Sequence, residues 1–499
     1  MKQRAPLTLA AVTAALAALT GIAALTAPAA GGTAADGKAA AAARMPVERS
    51  LLVCPAPSSS DIADTTYTAF TPGAAGSAEG KGSARLLGAT KDAKPVLEPK
   101  EAGKPFGATA SGADAPALTG SADGILAPGW TAQLTTKVAV GRARGVLGAG
   151  CTAPGTDFWF PAVSTAKGRE DFVHLTNPDD AAAVVDIKLF GPDGVAKPDA
   201  GTSENIRIDP KSSKSVLLSS LVPGAQLADA TAHVTTRAGR VGASVQVGEE
   251  GVGADWLQAA TDPAGSLVLP GIPADAVSVR LVAFVPGEED ADLKIRLAGP
   301  GGAITPAGNE QLHVKAGMTA SVDLKDVTRG EPGSLLLTPV DPKKASPLVA
   351  AVRVVRGSGA KQELGFVPAA APVGTRATVA DNRPEENATV LSLTAAGDKD
   401  AKVKVTASPG TGGGDAASQE VTVKAGTTQT VAVAPAGTGP RKGSYALTVE
   451  TLSGGPVHAA RTLSLPHEGI AMFTVQTLSD DHSTVSVPRA TEDLSVLTR

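Results

Sequence analysis

The chain reads as an all-β protein of tandem immunoglobulin-like β-sandwich modules, and three observations carry that reading. Between residues 171 and 247 the segments DFVHLTNPDDAAAVVDIKLFGPDG, ENIRIDPKSSKSVLLSSLVPG and TAHVTTRAGRVGASVQV alternate apolar and polar residues and close on Gly, Pro, Asn or Asp, the period of half-buried strands between turns. Landmarks then recur: Pro192, Pro300 and Pro409 are spaced by 108 and 109, Val216, Val322 and Val431 by 106 and 109, and Ala243, Ala350 and Ala459 by 107 and 109. Agreement at three places per unit defines an internal repeat, and a unit of that length closes its own sandwich core. Finally, 56 Gly and 37 Pro with only 3% aromatics suit short strands and many turns. The alternative, a β-propeller with two blades per unit, needs a repeat of roughly 40–50 residues with aromatic signatures, and the sequence carries none.

Taken in order, residues 1–30 have the layout of an export signal: Lys2 and Arg4, an uncharged run over 7–27, and Ala27-Pro28-Ala29 as a small-x-small site. The same run is long enough to span a hydrocarbon core of about 30 Å, so the segment is a signal peptide or a membrane anchor with an N-terminal hydrophobic helix. Either outcome places the remainder outside the cytoplasm. Residues 31–44 (GGTAADGKAAAAAR) form a flexible linker. A loop-rich β module is expected over 45–152, opening with VERSLLVC and TTYTAFTP and closing with WTAQLTTKVAVGRARGVLGAGC, its strands short and at least one loop long because Gly, Ala, Pro and Lys dominate from about 73 to 129. Cys54 and Cys151 are the chain's two cysteines, and an even pair without CxxC spacing in an exported protein is expected to form a disulfide. Sandwich modules follow at 153–262 and 263–370, then a last module with a C-terminal segment at 371–499.

Several motifs hint at chemistry. Ser164-Thr165-Ala166-Lys167 is an SxxK, with Ser203-Glu204-Asn205 and Lys315-Ala316-Gly317 as loose second and third elements of an acylating-serine site. Gly168 breaks the helical turn that mechanism needs, and Lys424-Ala425-Gly426 repeats the third element as a turn. The six histidines show no HxH or HExxH spacing, and nothing in the chain asks for a metal or a cofactor. Asp180, Asp290 and Asp400 recur at intervals of 110 in acidic hairpin loops, without the DxDxDG run of a calcium loop. The formal charge of −4, or −6 once Lys2 and Arg4 are set aside, comes with no basic stripe, so nucleic acid is not expected as a partner. Phe158, Trp159 and Phe160 are the densest aromatic cluster. With Trp256 they are either core residues or a stacking surface for a sugar.

The CPAP after the first strand, the FWFP entry, HLTNPDD with its following GPDG, the GADWL segment and PGEEDAD make residues 47 onward similar to an uncharacterised family of exported actinobacterial proteins, domain of unknown function 5719. That resemblance implies an envelope-located β protein with no assigned activity and no catalytic residues to carry over. It also implies, through a large membrane glycosyltransferase often encoded beside family members, a partner in envelope polysaccharide assembly. The expected function is a non-catalytic scaffold or accessory subunit. The alternative is a module array that binds glycan or cell wall.

Overall fold

The computed structural model describes residues 43–73, 80–199, 201–410, 413–437 and 443–488. Residues 1–30, read above as a signal peptide or membrane anchor, and 31–42 of the expected linker lie outside them. Among the described residues, no helix is long and apolar enough to cross a membrane. Among those residues the one α-helix is the single turn Leu218–Leu221.

Among the described residues of 46–485 there are eight four- and five-stranded antiparallel sheets. The second repeat shows the plan. One sheet orders Asp157–Val163, Ala230–Ala238, Ala183–Gly191 and Gly194–Val195, with Ile206–Ile208 also on Ala183–Gly191. The other orders Ser212–Leu217, Arg169–Asn177, Gly242–Glu249 and Gly253–Leu257. Strands distant in sequence are neighbours in each sheet, which separates the fold from the meandering blades of a propeller. Inward residues of both sheets, among them Phe160, Ile187 and Val234 from one and Val173, Leu175 and Val245 from the other, share one core. The same interleaved order recurs in the repeats before and after, each around its own core.

The first module is fuller than its composition suggests. The stretch from about 73 to 129, expected to hold short strands and at least one long loop, carries Gly82–Gly88, Pro95–Leu97, Phe106–Ser111 and Leu118–Gly124. Cys54 and Cys151 are joined in a disulfide across 97 residues, tying the module's leading strand, Arg49–Cys54, to the end of its last, Gly145–Gly150.

The recurring acidic loops have an architectural use. Asp290 Oδ1 accepts from Ala316 N and Asp400 Oδ1 from Ala425 N, each at 2.8 Å. In both repeats the carboxylate therefore caps the Lys-Ala-Gly turn opposite, the local side-chain-to-backbone bonding that short acids favour.

The modules are not strung out in line. The leading strand of each packs on the outer face of the next. Val53 lies where a Cβ on Gly242 would be 2.7 Å away, and Gln246 Nε2 donates to Pro57 O at 3.2 Å. Trp159 packs on Phe284 and Val349, beside the ion pairs Arg280–Asp229 at 2.5 Å and Arg353–Glu249 at 2.6 Å. Gly271 sits against Ala460 and Ser392, where Ser334 and Thr394 share a buried hydroxyl contact of 2.8 Å. The fourth module then returns to the first: Phe70 is buried with Ala380 and Ala446, and Ala380 N donates to Gln133 Oε1 at 3.0 Å. Four sandwiches thus close into a ring.

Candidate functional site: the ring axis

The last strands of the four modules, Gly145–Gly150, Gly253–Leu257, Glu363–Pro368 and Phe473–Leu478, meet at the centre, each against its two neighbours around the ring. One set of their side chains reaches into adjoining modules. Ala254 and Trp256 join the core of the first module, Leu364 and Phe366 that of the second, and Phe473 and Val475 that of the third. The other set faces the axis.

Register aligns the axial positions. Asp255, Gly365 and Thr474 pair with Val247, Val354 and Leu463 at the same step of their hairpins. Gly148 completes the layer: its amide donates to Asp255 Oδ1 at 3.3 Å, and a Cβ there would lie 2.9 Å from Thr474 Oγ1. Two glycines therefore make room for one acid and one threonine. A second layer repeats the device. Glu363 stands where the preceding module has Gly253, and a Cβ on Gly253 or Gly145 would lie 2.1 or 3.1 Å from Glu363 Oε1.

Asp255 and Glu363 have no exposed surface. Asp255 Oδ2, both Glu363 carboxyl oxygens and Thr474 Oγ1 lack an aligned hydrogen-bond partner. Burial pushes the Asp255 carboxyl well above the usual carboxylate range, outweighing the nearby amides of Trp256 and Gly148 and the Thr474 hydroxyl, with the Glu363 charge adding to the rise. Burial likewise pushes Glu363 up to about 8, against the opposing pull of Arg144. Arg144 is the nearest counter-charge, its Nε 3.8 Å from Glu363 Oε2. Most of its guanidinium is used elsewhere, on the carbonyls of Val252 and Gln362 at 2.5 Å and of Ala360 at 3.2 Å, so that one side chain from the first module clamps the second and third. Farther in, buried Arg461 bonds Gln476 Oε1 and, at 3.2 Å, Asp381 O. Burial lowers its pKa to about 10, so it stays charged at neutral pH.

Close to Arg144 in the chain, a cleft of about 220 Å³ is lined by Arg142, Lys167, Arg169, Glu170, Glu249 and Glu250. Arg142 pairs with Glu170 at 2.8 Å, and Arg169 with Asp171 at 2.8 Å and Glu249 at 3.6 Å. Its charges largely answer one another.

The residues that sequence reasoning offered for binding lie elsewhere. Phe158 and Trp159 are each 8% exposed, Phe160 is fully buried and Trp256 is 1% exposed. Trp159 stacks on His233 at 3.5 Å, and Trp256 meets the His174 ring edge-on at 5.0 Å. The stacking-surface reading is therefore corrected: these rings fill module cores and seams, and no ring face is open to a sugar. Ser164 is buried, donates to Leu227 O at 2.8 Å, and its amide donates to Asp171 Oδ2 at 2.7 Å. It belongs to a turn. The axial Asp255, Glu363, Arg144 and Arg461 were not singled out in the sequence. Their signal was an acid at one end or in the middle of an otherwise apolar strand, in GADWL and ELGFVP.

Fold and site together define a closed ring of four β-sandwich modules around a buried polar axis. The model of a family of unknown function, DUF5719, matches residues 107–434, and the chain belongs to that family. The match begins inside the first module and ends inside the fourth. No curated protein matches the chain.

Proposed function

We propose that this protein is an exported, non-catalytic component of the cell envelope, a ring that serves as scaffold or accessory subunit to a membrane enzyme. A membrane glycosyltransferase is the partner that the likeness to actinobacterial envelope proteins brings forward. The observation that carries the reading is that the side chains offering chemistry or sugar stacking, Ser164, Phe158, Trp159, Phe160 and Trp256, are engaged in packing and turns. The Cys54–Cys151 disulfide supports an oxidising compartment. Residues 1–30, as a signal or an uncleaved anchor, would bring the ring to the membrane. A glycan-binding role would have to use a surface other than those four aromatics.

The test is membrane fractionation with N-terminal sequencing of the mature chain, followed by cross-linked pull-down from the membrane fraction. Recovery of one envelope enzyme in stoichiometric amount is expected. A chain found in the cytoplasm, or a membrane fraction that yields no envelope enzyme, overturns the proposal.

A further inference from the structure

The axis holds two acids that packing alone does not require. Gly145 and Gly253 clear a space for Glu363, and Gly148 and Gly365 clear the layer that Asp255 occupies. The bonding of both acids is incomplete: three of their four carboxyl oxygens lack an aligned partner, and neither the Trp256 and Gly148 amides with the Thr474 hydroxyl at Asp255, nor the Leu364 and Ala254 amides at Glu363, outweigh burial. They sit where all four modules meet, so whatever favours or penalises them acts on every seam.

The charged groups that face the pair come from three modules. Arg144 approaches Glu363 from the first. Arg356 is the cross-strand neighbour of Glu363 in the third, but it turns to Asp275 at 2.7 Å and covers the Phe473 ring at 4.7 Å. Arg461 of the fourth is directed to Gln476 and Asp381, with Arg383 on the Asp381 carboxylate. The second module contributes Asp255 itself. Among the described residues Arg144 comes nearest a carboxyl of the pair, without an aligned hydrogen bond, and the Arg461 charge acts on Asp255 through space.

We propose that Glu363 and Asp255 form a proton-operated lock on the ring: with both carboxyls protonated the four axial strands close, and release of either proton to solvent leaves a buried carboxylate that the surrounding cations offset only in part, which loosens them. In the closed ring the pair holds protons that an opened, hydrated axis gives up. Burial holds Glu363 at about 8 and Asp255 well above its usual range, whereas an open axis restores ordinary carboxylate values near 4. The ring is therefore firmest below those ordinary values. It loosens progressively as pH rises toward 8, by tenfold in the opening constant per pH unit for each proton released.

The test is hydrogen exchange of the axial strands in the full-length chain between pH 5 and 9, corrected for the intrinsic rise of exchange with pH. The wild type should show an opening constant that climbs at least tenfold per unit up to about pH 8. Glu363→Gln, a neutral isostere of the protonated acid, should fold and lower that slope by one factor of ten per unit, and Asp255→Asn should do the same independently. A wild-type profile flat in pH overturns the lock. So does an unchanged slope in both variants, or failure of both neutral isosteres to fold.

Discussion

Trp256 belongs to the second module by sequence and to the first by packing, so its removal should weaken a core on the far side of a seam. The side chain is 1% exposed and lies in the cluster with Leu118, Trp130 and Leu134. A buried indole removes about 150–250 Å² from water. At roughly 25 cal/mol per Å² that is about 4–6 kcal/mol, and large-to-small replacements of buried aromatics cost about 3–5 kcal/mol. No hydrogen bond is lost, because Trp256 Nε1 has no acceptor. Trp256→Ala should therefore destabilise by about 3–5 kcal/mol and Trp256→Phe by roughly 1–2 kcal/mol. The assay is urea unfolding followed through Trp130, which reports on the first module. A second readout is His174, whose ring contacts the indole and whose pKa burial holds down to about 4. Native His174 stays neutral while the unfolded chain takes up a proton below about 6.5. Its contribution is thus present above that pH and lost as pH falls through 4. Water entering the Trp256→Ala cavity should move the His174 value back up and shrink that acid loss. A cost under about 1 kcal/mol, or a first module that unfolds at the wild-type midpoint, refutes the packing assignment.

Other changes test separate parts of the account. Cys54→Ser with Cys151→Ser opens a 97-residue loop and should lower stability by about 4–5 kcal/mol on the chain-entropy scale, read as the shift in denaturation midpoint that reductant produces in the wild type and no longer produces in the variant. Gly271 has φ of +82°, and a Cβ there would lie 2.7 Å from Ala460. Gly271→Ala should thus cost about 2 kcal/mol or more, centred on the third and fourth modules in hydrogen exchange. Ala162 occupies the corresponding bulge of the second module with φ of +76°, and Ala162→Gly should be neutral or mildly stabilising in the same assay.

Much of the architecture was legible because strand periodicity and turn residues are local. Pro192, Pro300 and Pro409 mark the same corner in successive modules, and the acidic loops repeat with the Lys-Ala-Gly turns that their aspartates cap. The first module was harder. Its inner strands, such as LTGSADG, alternate small residues with little apolar contrast, and Gly120 lies under Leu86 and Trp130, where a Cβ would be 2.4 and 2.5 Å from their side chains. Ring closure was illegible for a different reason. It rests on contacts such as Gln133 with Gln476, 343 residues apart, and on Ala, Gly and Gln at seams that follow no period of either strand or helix. The axial acids share that reason: an Asp in GADWL becomes informative only when three other strands are known to surround it.

The closing seam between the fourth and first modules is the most direct test of the ring. Lys137 Nζ and His467 Nδ1 lie 3.4 Å apart across it, although 330 residues separate them. With Cys54–Cys151 left intact, the double variant Lys137→Cys, His467→Cys should be bridged within one chain by a short bismaleimide at low protein concentration, detected as a single cross-linked peptide by mass spectrometry. Modules strung in line would leave the two thiols unlinked, or link them only between chains, and either result contradicts the closed ring.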